Sequence, residues 1–258
     1  MIEPREKPDV ARNGMIADNG PRDIMARNCK EFAGINFGRI VADYDSIDKS
    51  CRLPLANKVS FEFMTALASP QSVVVNITTT NVVTGVETVQ ATASVPWDTN
   101  VATTMAAIKT AVEGLNFIAS GAATVSANKI TVDIDEPNQV TAITAVVTGG
   151  TPPTVEYVFD TNDKFIGLSV EEMKQPNSAG QYQYDLTDTV QVGKKIRLWA
   201  ICKTAFTKKS TAYVMLTGAN RGFLRTDNTG SNSKVWTAVS FLNSGSADGL
   251  AKIELNLP

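Results

Sequence analysis

Two separated segments of this chain carry the pattern of one all-β unit, and a stretch of different composition lies between them. Residues 14–69 and 162–258 combine short apolar runs with Gly, Asn and Ser turns, whereas residues 70–161 are rich in Thr, Val and Ala and lack Arg. Insertions are tolerated where the two ends of a surface loop lie close together. The sequence therefore predicts a discontinuous domain, 14–69 with 162–258, interrupted by an inserted domain at 70–161.

The outer segments predict a mainly β fold, either a barrel or a sandwich, because many short strands alternate with turn residues. A strand, a turn and a second strand are expected around Gly193, and a short helix is expected at 23–32. Residues 1–13 contain prolines and alternating charges with little that is apolar, so they predict an extended N-terminal arm. Further strands are expected at 34–41, 213–216 and 250–255.

The inserted segment predicts a small α+β domain with the order β-β-α-β-β-β. Apolar residues recur with a helical period from Val101 to Leu115, and Asp98, Thr99 or Asn100 can cap the start of this helix. Residues 149–153 contain two Gly and two Pro and predict the hinge that returns to the outer domain. Strands are expected at 72–79, 89–95, 130–134 and 139–148.

Composition argues against several classes of function. The net charge is −2 and no basic run exceeds two residues, which is not typical of nucleic-acid binding. No apolar run approaches the ~18 residues that span a membrane, and the charged N-terminus does not resemble a signal peptide, so we expect synthesis in a cytoplasm. Cys29, Cys51 and Cys202 are odd in number and widely spaced, which predicts reduced, buried thiols.

No catalytic, cofactor or metal site is predicted. The chain contains no histidine, which excludes Ser-His-Asp and Cys-His nucleophiles and imidazole metal sites. The densest acidic cluster is 133–136, where Asp133 and Asp135 share one face of a predicted strand. It is interpreted as a solvated face, since a calcium site needs more converging oxygen ligands and a glycine turn.

The order of short motifs in the outer segments resembles the structural cement, or capsid decoration, proteins of tailed bacteriophages. The resemblance rests on glycines and strand patterns and not on chemical groups. The motifs are Gly14-Met15-Ile16-Ala17-Asp18, Phe37-Gly38-Arg39-Ile40-Val41, Leu53-Pro54, Phe165-Ile166-Gly167-Leu168, Gly193-Lys194-Lys195-Ile196-Arg197-Leu198-Trp199 and Gly249-Leu250-Ala251-Lys252-Ile253-Glu254-Leu255.

This resemblance implies a non-enzymatic virion protein that binds the outside of the icosahedral head. Its expected partners are the major capsid protein, whose neighbouring subunits it would cement, and further copies of itself, as a homotrimer or a dimer. The inserted domain is expected to face outward. Guanidinium groups suit a carboxylate-bearing partner surface because they bond bidentately. The candidate contact residues are Arg5, Arg12, Phe37, Arg39, Arg197 and Arg221.

An alternative interpretation is a tail or fibre appendage that binds a host receptor or glycan, since the inserted segment is similar to appendage modules. Copy number separates the two: a cement protein is abundant on empty heads, and a tail component is rare. A carbohydrate-active enzyme would need two facing carboxylates in a cleft, and no spacing in the sequence identifies such a pair.

Overall fold

The computed structural model describes residues 11–17, 22–45, 49–54, 56, 58–81, 83–135, 138–158, 165–171, 180–218, 220–228 and 233–258. The fold is mainly β, as predicted. The N-terminal part forms β1 (Asp23–Cys29), β2 (Ile35–Asn36), β3 (Ile40–Asp45) and β4 (Ser50–Arg52). The middle forms β5 (Lys58–Glu62), β6 (Ser72–Asn81), β7 (Glu87–Ala91), β8 (Val95–Pro96), α1 (Val101–Glu113), β9 (Ala123–Ser126), β10 (Lys129–Asp133), β11 (Asn138–Thr148) and β12 (Thr154–Val158). The C-terminal part forms β13 (Phe165–Ser169), β14 (Gln183–Tyr184), β15 (Thr189–Cys202), β16 (Tyr213–Met215), β17 (Leu224–Arg225), β18 (Ser233–Val235), β19 (Val239–Phe241) and β20 (Gly249–Asn256). Within these residues no helix is long and apolar enough to cross a membrane.

Strand β15 organises the outer part of the molecule. Its first half pairs with β1 and β13, and its second half pairs with β20 from Lys195 to Cys202. The predicted turn at Gly193 is wrong, because β15 continues through it for 14 residues. Glycine serves close packing here: a Cβ on Gly193 would lie 2.7 Å from Cγ2 of Ile196, and one on Gly167 would lie 2.3 Å from the Gly193 carbonyl oxygen.

The first half of β15 closes a small barrel. Strand β1 runs antiparallel to β15 and parallel to β4, and the chain of pairings β4–β3–β13–β15 completes the ring. The helix predicted at 23–32 is wrong, because those residues supply β1 and the turn after it. The barrel interior is apolar and is filled by Cys29, Ile35, Phe37, Val41, Cys51, Leu53, Tyr184, Val190 and Val192.

The second half of β15 carries a separate core. Alternate residues Ile196, Leu198 and Ala200 face inward, as the two-residue period of a strand requires. They pack against β20, β19 and the short strands β16 and β17. Aromatic rings complete this core, with Phe165 against Trp236 at 5.2 Å between centroids and Phe206 stacked on Phe241 at 5.3 Å.

The middle of the chain forms two sheets that share one core with helix α1. One sheet has the order β12-β5-β10-β9, and the other has the order β11-β6-β7, with β8 beside β6. The helix is confirmed: Asn100 is its N-cap, accepting a 3.0 Å hydrogen bond from the Thr103 amide, and Met105, Ile108 and Val112 face the core. Residues 149–153 connect β11 in one of these sheets to β12 in the other, so the chain does not leave this pair of sheets at the predicted hinge.

Residues 58–69, which the sequence analysis assigned to the outer domain, lie with the middle part. Strand β5 is central in the sheet β12-β5-β10-β9. Val59, Phe61, Phe63 and Leu67 belong to the core that packs around α1. We therefore propose a division into a middle unit of residues 58–158 and a flanking unit formed by the described residues on either side of it.

Candidate functional site

The end of the predicted N-terminal arm, together with the residues that follow it, is bound along β15. Gly14 donates its amide to the Trp199 carbonyl at 2.7 Å, and Trp199 donates to Met15 at 2.9 Å. The Asn13 side chain accepts a 3.0 Å hydrogen bond from the Ile201 amide. Residues 13–17 therefore lie as an added segment beside β15, and Asn13, the last residue of the predicted arm, is held by the flanking unit.

Two of the proposed contact arginines lie at the surface. Arg12 is 62% exposed and pairs with Glu171 at 3.0 Å. Arg197 is 40% exposed and pairs with Glu254 at 2.8 Å across β15 and β20. The Arg197–Glu254 pair is exposed at both ends, and pairs of this kind contribute little to stability. Glu171 is only 17% exposed, so the Arg12 pair is solvated mainly on the arginine side. Arg5, a third candidate, lies outside the described residues.

The other three candidates are buried, which corrects the expectation that they project from the surface. Phe37 lies in the barrel core, where its ring meets Tyr184 edge-on at 5.3 Å. Arg39 and Arg221 are 7% and 5% exposed. Arginine side chains are mostly exposed in folded proteins, so the burial of Arg39 and Arg221 could not be expected from the local sequence pattern.

The two buried arginines belong to an ionic cluster under the β1–β2 turn. Arg221 Nη2 contacts Glu31 Oε1 at 2.5 Å, and Glu31 Oε2 also accepts the Leu53 amide at 3.3 Å. Arg39 donates to the Arg221 carbonyl oxygen, and its guanidinium carbon lies 3.4 Å from the centroid of the Phe223 ring. Every contact links segments that are distant in sequence, so the fold alone assembles the cluster.

Burial dominates the electrostatics of this cluster. Loss of water raises the pKa of Glu31, and the adjacent Arg221 guanidinium opposes that rise. Burial likewise lowers the pKa of Arg221, and Glu31 opposes that change. Burial and the neighbouring Arg221 charge lower the pKa of Arg39 to about 10. Glu31 and Arg221 therefore each favour the charged form of the other.

A pocket of about 460 Å³ opens above this cluster, between the flanking unit and the middle unit. Glu31, Arg39 and Arg221 line it from the flanking unit, and the hairpin between β6 and β7 lines it from the other side. The hairpin contacts the flanking unit at Gly85, where an added Cβ would lie 2.4 Å from the Phe32 ring. The full lining is Glu31, Phe32, Ala33, Gly34, Asn36, Arg39, Leu53, Thr80, Asn81, Gly85, Gly218 and Arg221.

The three cysteines lie in the protein interior, and Asp133 of the acidic cluster lies at the surface. All three cysteines are free and buried, as predicted, and burial raises the pKa of Cys29 to about 12. The acidic cluster contributes Asp133, which pairs with Lys58 at 2.9 Å on the surface of the middle unit. Across the described ranges, no group of three or more metal-ligating side chains comes together.

Comparison with known proteins identifies the family. The sequence profile described as Structural cement protein (E217 gp24/Pam3 gp6) matches residues 109–256. This is more than half of the chain, so the chain belongs to the structural cement protein family and is a capsid-stabilising structural protein of a phage virion. The match begins inside α1 and includes β9 to β12, so it is not confined to the segments that carried the sequence resemblance.

A solved structure gives a more distant likeness. A chain from "The capsid of Myoviridae Phage XM1" superposes with a TM-score of 0.46 at 10% sequence identity, covering 98% of this chain and 95% of that chain. No conclusion rests on a likeness this distant. Among curated proteins, no significant match was found.

Proposed function

We propose that this protein binds the outer surface of the icosahedral head and cements neighbouring major capsid subunits through its flanking unit, which is called the cement unit from here on. The observation that carries the proposal is the family match over residues 109–256. The mechanism is binding without chemistry: a protein that binds the assembled shell and not its free subunits stabilises the shell by mass action.

Self-association would strengthen this effect. We propose a homotrimer at local three-fold positions of the shell, with a dimer as the competing arrangement. Closed symmetric oligomers are the usual form of self-assembly, and a trimer matches the symmetry of a three-fold position. A trimer contacts several shell subunits at once, and each further contact forms at high effective concentration. We also propose that the middle unit of each copy faces outward, away from the shell.

The contact residues that we propose are those with accessible guanidinium groups. Arg12 and Arg197 are exposed and each already holds a carboxylate. A carboxylate on the shell can replace the intramolecular partner, because a guanidinium group can hold a carboxylate with two parallel hydrogen bonds. Arg5 remains a candidate from the sequence.

Heads prepared with and without this protein test the proposal. Undecorated heads should assemble but break at a lower temperature than decorated heads, and added purified protein should restore the difference at a saturating stoichiometry that matches the shell symmetry. Equal thermal resistance of decorated and undecorated heads would contradict reinforcement. Detection of only a few copies, confined to tails, would favour the appendage function instead.

A further inference from the structure

The pocket between the two units has the size and chemistry of a site for one side chain of a partner. Its volume of about 460 Å³ lies within the range of ligand sites in proteins. Three of its lining residues are ionisable and almost fully buried: Glu31, Arg39 and Arg221. The lip is formed by Phe32, which is 56% exposed, together with Asn36 and Thr80. The pocket therefore has an ionic floor and a mixed apolar and polar entrance.

The charges that line the pocket favour an anion. Two guanidinium groups, Arg39 and Arg221, line it against one carboxylate, Glu31. Arg39 is fixed in place, since its guanidinium lies flat against Phe223 and donates to the Arg221 carbonyl oxygen. Burial lowers the pKa of Arg39 to about 10. An arriving anion would offset this cost of burial, because an opposite charge favours the ionised form.

The size of the negative charge can also be argued. Glu31 lies in the pocket wall beside Arg221 at 2.5 Å, so a dianionic phosphate would meet a carboxylate at short range. A monoanionic carboxylate fits this balance of two guanidinium groups and one carboxylate better. The chain as a whole has a net charge of −2, which does not provide the basic field that binds a nucleic-acid backbone.

We propose that this pocket accepts an acidic side chain, Asp or Glu, from a major capsid subunit. This inference rests on the proposed function and names the chemistry of one contact. Because one wall belongs to the middle unit, through Thr80 and Gly85, and the floor belongs to the cement unit, the bound side chain would touch both units. Shell binding would therefore also stabilise the contact between the hairpin and Phe32.

Charge reversal at the entrance tests this proposal without disturbing the buried cluster. Thr80 is half-buried and lines the pocket, and Asn36 is exposed and lines it from the other unit. Thr80→Glu and Asn36→Asp each place a negative charge where the partner carboxylate enters, and Thr80→Gln is the matched neutral control. We expect at least about tenfold weaker binding to purified heads for the two acidic variants, which corresponds to a loss of about 1.4 kcal/mol in binding free energy. Binding of Thr80→Gln should be unchanged.

The outcomes separate this inference from the proposed function. If the unaltered protein fails to bind heads, the proposed function fails and this contact fails with it. If the unaltered protein binds and Thr80→Glu binds as well as Thr80→Gln, the pocket proposal alone is overturned. Analytical ultracentrifugation of the free proteins adds a third result: a change of oligomeric mass in Thr80→Glu would assign the pocket to a second copy of this chain and overturn the assignment to the shell. Equal melting temperatures of the variants establish that all of them are folded.

Discussion

At the scale of single residues, the pair of Glu31 and Arg221 is the most informative contact. The two residues are 190 positions apart, and both side chains are about 95% buried. Arg197 and Glu254 form a second Arg–Glu pair in the same unit, but at the surface. The described residues therefore include both a buried and an exposed version of the same interaction, so the effect of burial can be measured directly.

Removal of one partner should affect the two pairs very differently. Arg221→Ala leaves the Glu31 carboxylate buried without its cation, and we expect a loss of about 3–5 kcal/mol in the free energy of unfolding. Arg197→Ala removes a solvated pair and should cost at most about 1 kcal/mol. Denaturant titration of both variants measures the difference. Similar losses for the two would mean that Glu31 is hydrated or neutral in the folded protein.

The buried thiols predict a loss of stability at alkaline pH. Burial raises the pKa of Cys29 from its ordinary value of 9.0 to about 12. The unfolded chain then releases this proton first, so the contribution is complete below pH 9 and is lost as the pH rises toward 12. In that window each pH unit should cost up to about 1.4 kcal/mol. Cys29→Ala should give a shallower slope of unfolding free energy against pH, whatever its constant cost from the lost packing. Parallel slopes in the two proteins would contradict the raised pKa.

The residue scale is also where the sequence predicted least. The burial of all three cysteines followed from their number and spacing, and it is confirmed. The positions of Arg39 and Arg221 did not follow, because an arginine is buried only when the fold brings it a partner. No local signal connects Arg221 with Glu31, since their contact depends on the pairing of strands far apart in the chain.

At the scale of elements, prediction succeeded where the local pattern and the tertiary environment agree. Helix α1 has a capping residue, Asn100, and an apolar stripe that faces the core. Strand β1 has no such agreement: residues 23–29 are mostly exposed or half-buried, and pairing with β15 and β4 decides their conformation. Gly193 was misinterpreted for a related reason, because glycine marks close packing as often as it marks a turn.

The hairpin between β6 and β7 is one of the contacts between the two units. Gly85 has φ of +71°, and an added Cβ would lie 2.4 Å from the Phe32 ring. Gly149 has φ of +72° with nothing within 4 Å of such a Cβ. The two glycines therefore have the same backbone conformation and differ in the contact.

Substitution by alanine should separate the backbone effect from the contact. Both variants should lose about 1–2 kcal/mol from the left-handed backbone conformation, and Gly85→Ala should lose about a further 1–2 kcal/mol because the methyl group displaces Phe32. In a Phe32→Ala background, the cost of Gly85→Ala should fall to that of Gly149→Ala. Thermal or denaturant unfolding measures all four proteins. Equal costs for Gly85→Ala and Gly149→Ala in the unaltered background would show that the hairpin does not rest on Phe32.

At the scale of the whole molecule, the arrangement of the cores explains how one chain can hold two units. Around β15, the barrel core and the second core are built from residues 29–53 and 165–257. The core around α1 is built from residues 59–157. Compositional contrast predicts an inserted segment that starts at residue 70, whereas the division proposed here starts at residue 58. Strand β5 alternates polar and apolar residues, a pattern that suits either unit, and its pairing with β10 and β12 is the reason to assign it to the middle unit.

Two excisions test this division. Replacing residues 58–158 with a short Gly/Ser linker removes the core around α1 as a whole and leaves both cores of the cement unit, so we expect a soluble protein that unfolds cooperatively. Replacing residues 70–161 instead leaves β5 without β10 and β12, and Val59, Phe61, Phe63 and Leu67 lose the core that buries them. Those four side chains would then expose roughly 1.5–3 kcal/mol of burial free energy each, and an unpaired apolar strand promotes aggregation. Light scattering and the binding of a hydrophobic dye should therefore be higher for the second protein than for the first. If the first protein is unfolded by circular dichroism, the cement unit depends on the middle unit for its stability, and the two are parts of a single cooperative domain.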